Sequence, residues 1–414
     1  MGPRAVVLVT GDEVLRGRVS DRNGAHLAAW LDSRGIGVEV VTIMGDWREG
    51  IRDAVASAVG RGVDLVCLSG GLGPTHDDVT MEAVALAAGR PLEVNPTALA
   101  MVEARSRGIS VGAASAEGTR RKQASLPSGA AVIPPAGTAP GCVLSVDGSV
   151  IVVLPGPPWE LRAMWDAATT DEPALIALLA RAAPSPERIL RVHAVGESRL
   201  VEFLESPGAP PTGALTFGIC AKDAELELTL RGDPAAADAL QGHLSASLGK
   251  ALFSTDGTTV DALIATQLTR RGETVAVAES CTGGGLGARM TAAMGASDFM
   301  LGGVVAYAND IKRDILGVGQ DLLDRHGAVS SECAAAMADG ARRLLGSTWA
   351  LSVTGIAGPG GGGPGKPVGL VHIGRSGPTG TVTQEHHFRG DREEVRRRAV
   401  AAALHLLRRG LADA

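Results

Sequence analysis

Short apolar runs alternate with amphipathic stretches along the N-terminal part of the chain, and this alternation constrains the fold more than any other feature. Such repetition is typical of right-handed βαβ units around a parallel sheet. The predicted strands are 5–9, 38–43 and 65–69, and the predicted helices are 23–34 and 48–61. After residue 258 the alternation returns, with a helix predicted over 260–271 and a strand over 274–278. The predicted fold class is therefore α/β.

The chain is long enough for several domains. Its 414 residues exceed the length of one ordinary domain, so more than one core is expected. Between 171 and 255 the pattern changes to short alternating strands, a Pro-rich joint and isolated helices, which is typical of a small α+β module. We predict three domains, at 1–170, 171–255 and 256–414.

Charge and composition exclude several classes of protein. Lys and Arg number 39 and Asp and Glu 45, and the net charge of −6 argues against nucleic acid as a partner. The five cysteines include no C-x-x-C pair, which favours a reduced, cytoplasmic protein without structural zinc. The uncharged stretches 123–146 and 344–365 are broken by Gly and Pro, so no membrane span is predicted. Small molecules are the expected ligands.

A glycine-rich loop follows the third predicted strand. Ligands of open parallel sheets bind beyond the carboxyl ends of strands, where glycine lets the backbone approach a phosphate. We therefore expect Gly70, Gly71 and Gly73 to bind substrate. Carboxylates follow the same strand ends, and Asp78 and Asp12 are predicted to hold a divalent metal ion. The loop lacks the Gly-Lys-Ser/Thr of a Walker A motif.

The alternative for these two carboxylates is a local structural role. Asp78 would then be the N-cap of a helix starting around residue 79, and Asp12 would cap a turn. The occurrence of acidic residues after successive strands favours the functional interpretation.

A second loop with chemical potential follows the strand predicted over 274–278. Ser280 stands there before Thr282, Gly283 and Gly284, so it would lie at a helix N-terminus whose free N–H groups can stabilise an oxyanion. A desolvated lysine can act as the base for such a serine. Lys312 is the candidate base, and the rival nucleophile is the neighbouring Cys281.

Other residues of the C-terminal part are candidates for the same site as Ser280 and Lys312. The stretch 302–312 runs from a strand into a polar turn that carries Tyr307 and Asn309. The stretch 352–363 runs from a strand into a Gly-rich loop at Gly355, which is either a ligand cradle or a linker. Arg392 and Arg396 are i,i+4 neighbours that could bind a phosphate, although a solvated helix face explains them equally well.

Over nearly its whole length the sequence resembles the CinA family of competence/damage-inducible proteins. The N-terminal resemblance rests on Gly11-Asp12-Glu13, on 70–80 and on Leu154-Pro155-Gly156-Pro157. The C-terminal resemblance rests on the stretches 279–284, 302–312, 326–330, 354–359 and 366–369. The resemblance implies a molybdopterin-binding-like three-layer domain, a KH-like connector and a three-layer α/β amidase domain.

The resemblance also implies activities. The C-terminal domain would deamidate nicotinamide mononucleotide (NMN), with Ser280 as nucleophile, Lys312 as base, and Tyr307 and Thr354 as supporting hydroxyls. The N-terminal domain would hydrolyse ADP-ribose with Mg, Mn or Co, whereas the amidase would need no cofactor. A homodimer is implied as well. The predicted substrate-binding residues of the amidase are Thr282, Gly283, Gly284, Asn309, Gly355, Arg392 and Arg396.

Two alternatives stay open from the sequence. The N-terminal domain could be a binding or regulatory module for a pterin or a nucleotide without catalysis. The chain could also be a competence or DNA-damage accessory protein that acts by contact with other proteins, which would leave Ser280, Tyr307 and Lys312 unexplained.

Overall fold

A computed structural model describes residues 2–105, 113–184 and 186–413, and for 113–116 the backbone alone. The chain divides into two compact units, Met1–Ser185 and Pro186–Ala414. This division falls later than the boundary that we placed after residue 170, because Leu175 and Leu178 pack in the core of the first unit. No described helix is long and apolar enough to cross a membrane.

The first unit contains short strands and amphipathic helices in alternation. In chain order they are β1 (Arg4–Thr10), α1 (Asp12–Leu15), α2 (Asn23–Ser33), β2 (Gly37–Met44), α3 (Arg48–Gly60), β3 (Leu65–Ser69), α4 (Thr80–Ala87), β4 (Leu92–Val94), α5 (Pro96–Arg105), α6 (Ala113–Gln123), β5 (Ser125–Pro127), β6 (Ala131–Ile133), β7 (Gly141–Val146), β8 (Ser149–Leu154), α7 (Pro158–Asp171) and α8 (Pro173–Leu179).

The main sheet of this unit has the order β2-β1-β3-β8-β7-β6. The first four strands are parallel, and β7 and β6 are antiparallel additions. Val6 and Leu8 enter a core with α3 and α4, whereas Val7 and Val9 enter a second core with α2 and α7. Because successive side chains of a strand point to opposite faces, the sheet is covered on both sides. The predicted α/β class is confirmed for this unit.

The second unit begins with antiparallel strands and ends in a long helix. Its elements are β9 (Glu187–Val192), α9 (Glu197–Leu204), β10 (Leu215–Lys222), β11 (Glu225–Gly232), α10 (Pro234–Leu248), β12 (Leu252–Ser254), α11 (Val260–Arg271), β13 (Val275–Glu279), α12 (Gly285–Thr291), β14 (Met300–Val305), α13 (Asn309–Asp314), α14 (Gln320–His326), α15 (Ser331–Leu345), β15 (Trp349–Gly355), β16 (Leu370–Gly377), β17 (Gly380–His387) and α16 (Arg392–Asp413).

Residues 187–254 form a four-stranded antiparallel sheet with the order β10-β11-β9-β12 and a core of their own. We call this part the small module. Asp233 accepts a hydrogen bond from the N–H of Ala236 and so caps α10, which begins at Pro234.

The C-terminal sheet has the order β14-β13-β15-β16-β17. The first three strands are parallel and the last two are antiparallel. One face packs on α11, α12 and α16, and the other packs on α14 and α15. The parallel order brings the carboxyl ends of β14, β13 and β15 to one edge.

Candidate functional site

Three neighbouring strands deliver the predicted catalytic residues of the second unit to one sheet edge. Glu279, the last residue of β13, pairs with Val305 on β14 and with Val353 on β15. The residues that follow each strand therefore lie at the same level, and the N–H of Ser280 donates to the carbonyl of Val353 at 2.9 Å. Thr354 on β15 is thus placed beside Ser280.

Lys312 lies against Ser280. Its Nζ is 3.3 Å from the Ser280 Oγ, 2.8 Å from the carbonyl oxygen of Ala306 and 3.3 Å from that of Tyr307. The lysine is only 1% exposed, and within the described residues it forms no salt bridge. Burial lowers its pKa, because a charged amine loses its hydration there. Lys312 lies on the short helix α13 rather than in the polar turn that we expected.

The neutral form of this amine fits its surroundings. A neutral primary amine has two N–H donors and one lone pair, and the carbonyl groups of Ala306 and Tyr307 can accept from both donors. The lone pair then remains for the hydroxyl hydrogen of Ser280. The arrangement is therefore that of a general base beside a potential nucleophile.

The helix N-terminus behind Ser280 is not free, contrary to our expectation. The carboxylate of Glu279, which is 1% exposed, accepts hydrogen bonds from the N–H groups of Gly284 at 3.1 Å, Leu286 at 3.0 Å and Gly287 at 2.8 Å. This side chain occupies the donors of the first turn of α12 and fixes the loop. The amides of Cys281 and Thr282 donate to no other residue in the described part of the chain.

The loop after Ser280 needs glycine at two positions. Gly283 and Gly284 have φ angles of 59° and 94°, in a region of backbone conformation that residues with a Cβ rarely adopt. Thr282 is fully buried, and its hydroxyl has no hydrogen-bond partner in the described residues. Such an unsatisfied group next to Ser280 is one that substrate could satisfy.

The two predicted supporting hydroxyls have other partners. The Thr354 hydroxyl donates to the carbonyl of Ala328 at 2.6 Å. The Tyr307 ring is 60% exposed, and its hydroxyl accepts from Arg392 Nη2 at 3.0 Å. Tyr307 therefore touches Lys312 through its backbone carbonyl alone, while its side chain belongs to the outer rim of the site.

Two arginines of α16 border the same loops. Arg392 donates to the carbonyl of Gly358 at 2.7 Å, and Arg396 donates to the carbonyl of Thr282 at 2.8 Å. Guanidinium groups carry five N–H donors, so both retain donors for an anion. Of the other predicted binding residues, Asn309 is exposed at the start of α13. Gly355 lies so close to β16 that a Cβ there would be 2.7 Å from the carbonyl oxygen of Leu370.

Cys281, the rival nucleophile, is buried. Burial raises the pKa of its thiol to about 11, which disfavours the thiolate that a cysteine nucleophile requires.

The first unit has a cleft at the carboxyl ends of β1, β3 and β8, with a volume of about 300 Å³. The predicted glycine loop forms part of its wall. A Cβ on Gly70 would lie 2.4 Å from the carbonyl oxygen of Thr10, and one on Gly73 would lie 2.5 Å from the carboxylate of Asp78. The lining residues are Thr10, Gly11, Glu13, Asp46, Gly70, Gly71, Leu72, Gly73, Asp77, Asp78, Thr138, Ala139, Pro155, Gly156, Pro157 and Glu160.

The two predicted metal ligands differ in position. Asp78 lines the cleft and accepts from the N–H of Thr75 at 2.8 Å, while α4 begins at Thr80 with no side-chain cap. The N-cap alternative for Asp78 is therefore wrong. The Asp12 carboxylate instead pairs with Arg16 at 2.7 Å. The backbone N–H of Asp12 donates to the carboxylate of Asp46 at 3.0 Å.

The carboxylates of the cleft influence one another. Burial raises the pKa of Asp46, and the charges of Glu13, Asp12 and Asp77 raise it further. Among the described residues no three acidic, His or Cys side chains lie close enough to hold an ion alone. A divalent ion such as Mg²⁺ often takes only one or two carboxylates and completes its shell with water and substrate phosphates, so the donor chemistry of the cleft fits such an ion.

Comparisons with known proteins cover both units. A family model described as the CinA C-terminal domain matches residues 257–411, and one described as a probable molybdopterin binding domain matches residues 6–175. A CinA-like protein of Mycolicibacterium gilvum is 43% identical over 423 residues and covers 99% of both chains. The chain belongs to the CinA family. A CinA-like protein of Mycobacterium avium is 42% identical over 433 residues, again with 99% of both chains covered.

A solved CinA-family structure is also similar to part of the chain. The crystal structure of the competence/damage inducible protein CihA from Agrobacterium tumefaciens is 41% identical and has a TM-score of 0.36. It covers 37% of this chain and 95% of its own. The two family models, the full-length relatives and the sheet topology make the chain a mixed α/β CinA-like protein with a molybdopterin-binding-like N-terminal domain and further α/β sheets.

Sequence reasoning missed several residues of this CinA-like chain. Glu279 lies in the motif around Ser280, but its carboxylate was not predicted to accept hydrogen bonds from the N–H groups at the start of α12. A carboxylate at the end of a buried strand, directly before a Gly-rich turn, is the signal that could have indicated it. In the first unit, Glu160 lines the cleft although no local motif distinguishes it, whereas Asp46 is one of the carboxylates that follow the strand ends.

Proposed function

We propose that the C-terminal part of this CinA-like chain hydrolyses the carboxamide of NMN to the nicotinate nucleotide and ammonia. The observation that carries the proposal is the 3.3 Å separation between Lys312 Nζ and Ser280 Oγ, together with the burial of the lysine, which lowers its pKa. Membership of the CinA family supports the choice of substrate, because the resemblance of the sequence to this family implies NMN deamidation.

The first half of the reaction forms an acyl-enzyme. Ser280 Oγ attacks the carboxamide carbon while Lys312 takes the hydroxyl proton and becomes an ammonium. The tetrahedral intermediate then collapses as this ammonium gives its proton to the departing nitrogen. The C–N bond breaks, ammonia leaves, and an ester on Ser280 remains.

The second half reverses the roles. A water molecule attacks the ester carbon while Lys312 accepts one of its protons, and the proton then returns to Ser280 as the C–O bond breaks. The negative oxygen of both tetrahedral intermediates needs N–H donors. Since Glu279 occupies the first turn of α12, the amides of Cys281 and Thr282 are the donors that we assign to it.

The nucleotide part of the substrate would be bound by α16. Arg392 and Arg396 border the loops around Ser280 through the carbonyl groups of Gly358 and Thr282. A phosphate placed there would receive charge-assisted hydrogen bonds from both guanidinium groups. Tyr307 orients Arg392 through its hydroxyl.

A second activity is proposed for the first unit, the metal-dependent hydrolysis of ADP-ribose. The specific observation is the cleft at the strand ends, in which the glycine loop faces several carboxylates. A divalent ion would supply charge neutralisation for the diphosphate oxygens. Asp78 and Asp46 are the residues that we propose to hold it, since the Asp12 carboxylate pairs with Arg16. A homodimer remains a proposal from the family resemblance.

One assay distinguishes these proposals from the alternatives. The full chain is incubated with NMN, other pyridine nucleotides and ADP-ribose, and ammonia and AMP are followed separately with and without added Mg²⁺ or Mn²⁺. Ammonia from NMN supports the amidase, and AMP from ADP-ribose supports the second hydrolase. Retention of ADP-ribose without AMP release would indicate a binding module, and absence of both products would favour an accessory protein.

A further inference from the structure

A cavity of about 380 Å³ lies within the second unit, between the small module and the helix α16. One wall comes from the loop after β9 and from the β10–β11 hairpin, and the other comes from β17 and α16. The lining residues are His193, Ala194, Val195, Gly196, Ala221, Ala224, Glu225, Leu226, His386, Phe388, Arg397, Arg398 and Ala402. None of them belongs to the amidase centre around Ser280.

We infer that this cavity binds a nucleotide, with a flat heteroaromatic ring against its apolar wall and a phosphate against its arginines. The volume lies within the range of small-molecule sites, about 300–1,000 Å³. The inference concerns binding alone and does not depend on the amidase activity.

The cationic side of the cavity comes from α16. Arg397 and Arg398 both bind the single carboxylate of Glu394, Arg397 at 2.7 Å. Two guanidinium groups that share one carboxylate leave a net positive charge and several unused N–H donors at the rim. Guanidinium donors of this kind form charge-assisted hydrogen bonds with phosphate.

A nucleotide site also needs a surface on which a planar ring can stack, and the end of β17 and the residue after it provide one. The rings of His386 and Phe388 are stacked with centroids 5.0 Å apart and an angle of 8° between their planes. Burial lowers the pKa of His386, so the imidazole is neutral, and its Nε2 has no hydrogen-bond partner among the described residues. Small apolar residues such as Ala194 and Ala221 line the same cavity from the side of the small module.

The acidic residue of the lining is already engaged. Glu225 accepts from His405 Nε2 at 2.8 Å, and Arg191 lies 3.9 Å from its other oxygen. Arg408 Nε donates to His405 Nδ1 at 3.1 Å, which places the imidazole proton on Nε2, facing Glu225. The carboxylate therefore faces this buried network, which fixes the two walls to each other and lessens its repulsion of a bound anion.

The backbone of the module wall is strained where it borders the cavity. Ala194 has a φ angle of 62°, which is uncommon for a residue with a Cβ. Such conformations concentrate at ligand-binding positions.

The test measures binding of AMP, adenosine and inorganic phosphate to the full chain by titration calorimetry. Two variants address the two walls: R397M/R398M removes the cations, and Ala221→Trp fills the space from the module side, away from the amidase centre. Arg199→Met is the matched control, because Arg199 forms a similar surface pair with Glu202 at i,i+3. Circular dichroism checks the fold of each variant.

We expect both cavity variants to lose one AMP-binding event, with affinity reduced at least tenfold, while the Arg199→Met chain binds as the wild type does. Adenosine should bind more weakly than AMP, since it lacks the phosphate. The inference is overturned if Ala221→Trp binds AMP like the wild type, if adenosine binds as tightly as AMP, or if every AMP site survives in R397M/R398M.

Discussion

Lys312 Nζ lies 3.3 Å from Ser280 Oγ, and its other hydrogen-bond partners among the described residues are two backbone carbonyl oxygens. A charged ammonium in this position would have to remain buried without a carboxylate partner, at a high cost in free energy. Burial without a carboxylate partner therefore favours the neutral amine, which is the form that can remove a proton from serine.

Replacing Lys312 by Met keeps the apolar stem and removes the base. We expect kcat for ammonia release from NMN to fall by about 1,000-fold or more. Ser280 and Lys312 act as a pair, so the loss of either one removes most of the rate acceleration. Lys312→Arg retains a cation that cannot lose its proton and should be equally inactive. Near-normal turnover by either folded variant would remove Lys312 from the mechanism.

The lowered pKa of Lys312 predicts a pH dependence. The amine must be neutral to act, so kcat/KM should rise with pH as the lysine loses its proton and fall below its pKa. Because this pKa is lower than that of an ordinary lysine, the rise should occur below about pH 10.4. The residual activity of Lys312→Met should lack this step, and a step that persists unchanged there belongs to another group.

Arg392 is predicted to bind the phosphate of NMN. Arg392→Met should raise KM for NMN about tenfold or more, the loss expected for a hydrogen bond between charged groups. The same change should alter KM for nicotinamide riboside much less, because this compound lacks the phosphate. Tyr307→Phe removes only the contact to Arg392 and should give a smaller increase. Equal effects on both substrates would assign Arg392 to loop structure instead.

Glu279 is predicted to stabilise the loop that carries Ser280. Glu279→Gln leaves one acceptor oxygen and turns an NH₂ group toward backbone donors, so we expect the free energy of unfolding to fall by about 1.5–3 kcal/mol. Urea denaturation measures this change, and kcat should fall with it. Glu202→Gln, at an exposed ion pair, is the control and should be nearly neutral. Equal stability of the two variants would contradict the role of Glu279.

The two proposed activities should respond differently to metal removal. Serine–lysine amide hydrolysis needs no cation, whereas diphosphate cleavage requires neutralisation of several oxygens. A chelator should therefore stop AMP release from ADP-ribose and spare ammonia release from NMN. Asp78→Asn should act like the chelator, because it retains the hydrogen-bond acceptor for Thr75 and loses the ligand charge. If AMP release survives in Asp78→Asn, the ligands are to be sought at Asp46 and Asp77.

Much of the fold was accessible from the sequence because periodicity and glycine mark the strand ends. The helix predicted over 260–271 is α11, and the strand predicted over 65–69 is β3. The convergence of Ser280, Tyr307 and Thr354 at one edge follows from parallel pairing of β13, β14 and β15. These features are local patterns combined with one topological rule.

Other features depend on contacts between distant residues and could not be predicted. The direction of the Tyr307 hydroxyl is set by Arg392, which lies far along the chain. The start of the small module could not be predicted for the same reason, because Leu175 and Leu178 pack in the core of the first unit and so assign α8 to that unit. The difference between Asp78 and Asp12 has a local cause instead, because Arg16 lies one helical turn from Asp12 and pairs with it, and this i,i+4 spacing is visible in the sequence.

The central claim is that Ser280 is the nucleophile, and the initial rate of ammonia release from NMN by Ser280→Ala and Cys281→Ala tests it most directly. Both variants are compared with the wild type at equal concentrations of folded protein. The structure predicts that Ser280→Ala loses about 1,000-fold or more of the rate and that Cys281→Ala stays close to the wild type, because the Cys281 thiol is buried and protonated. An inactive Cys281→Ala beside an active Ser280→Ala would contradict the account.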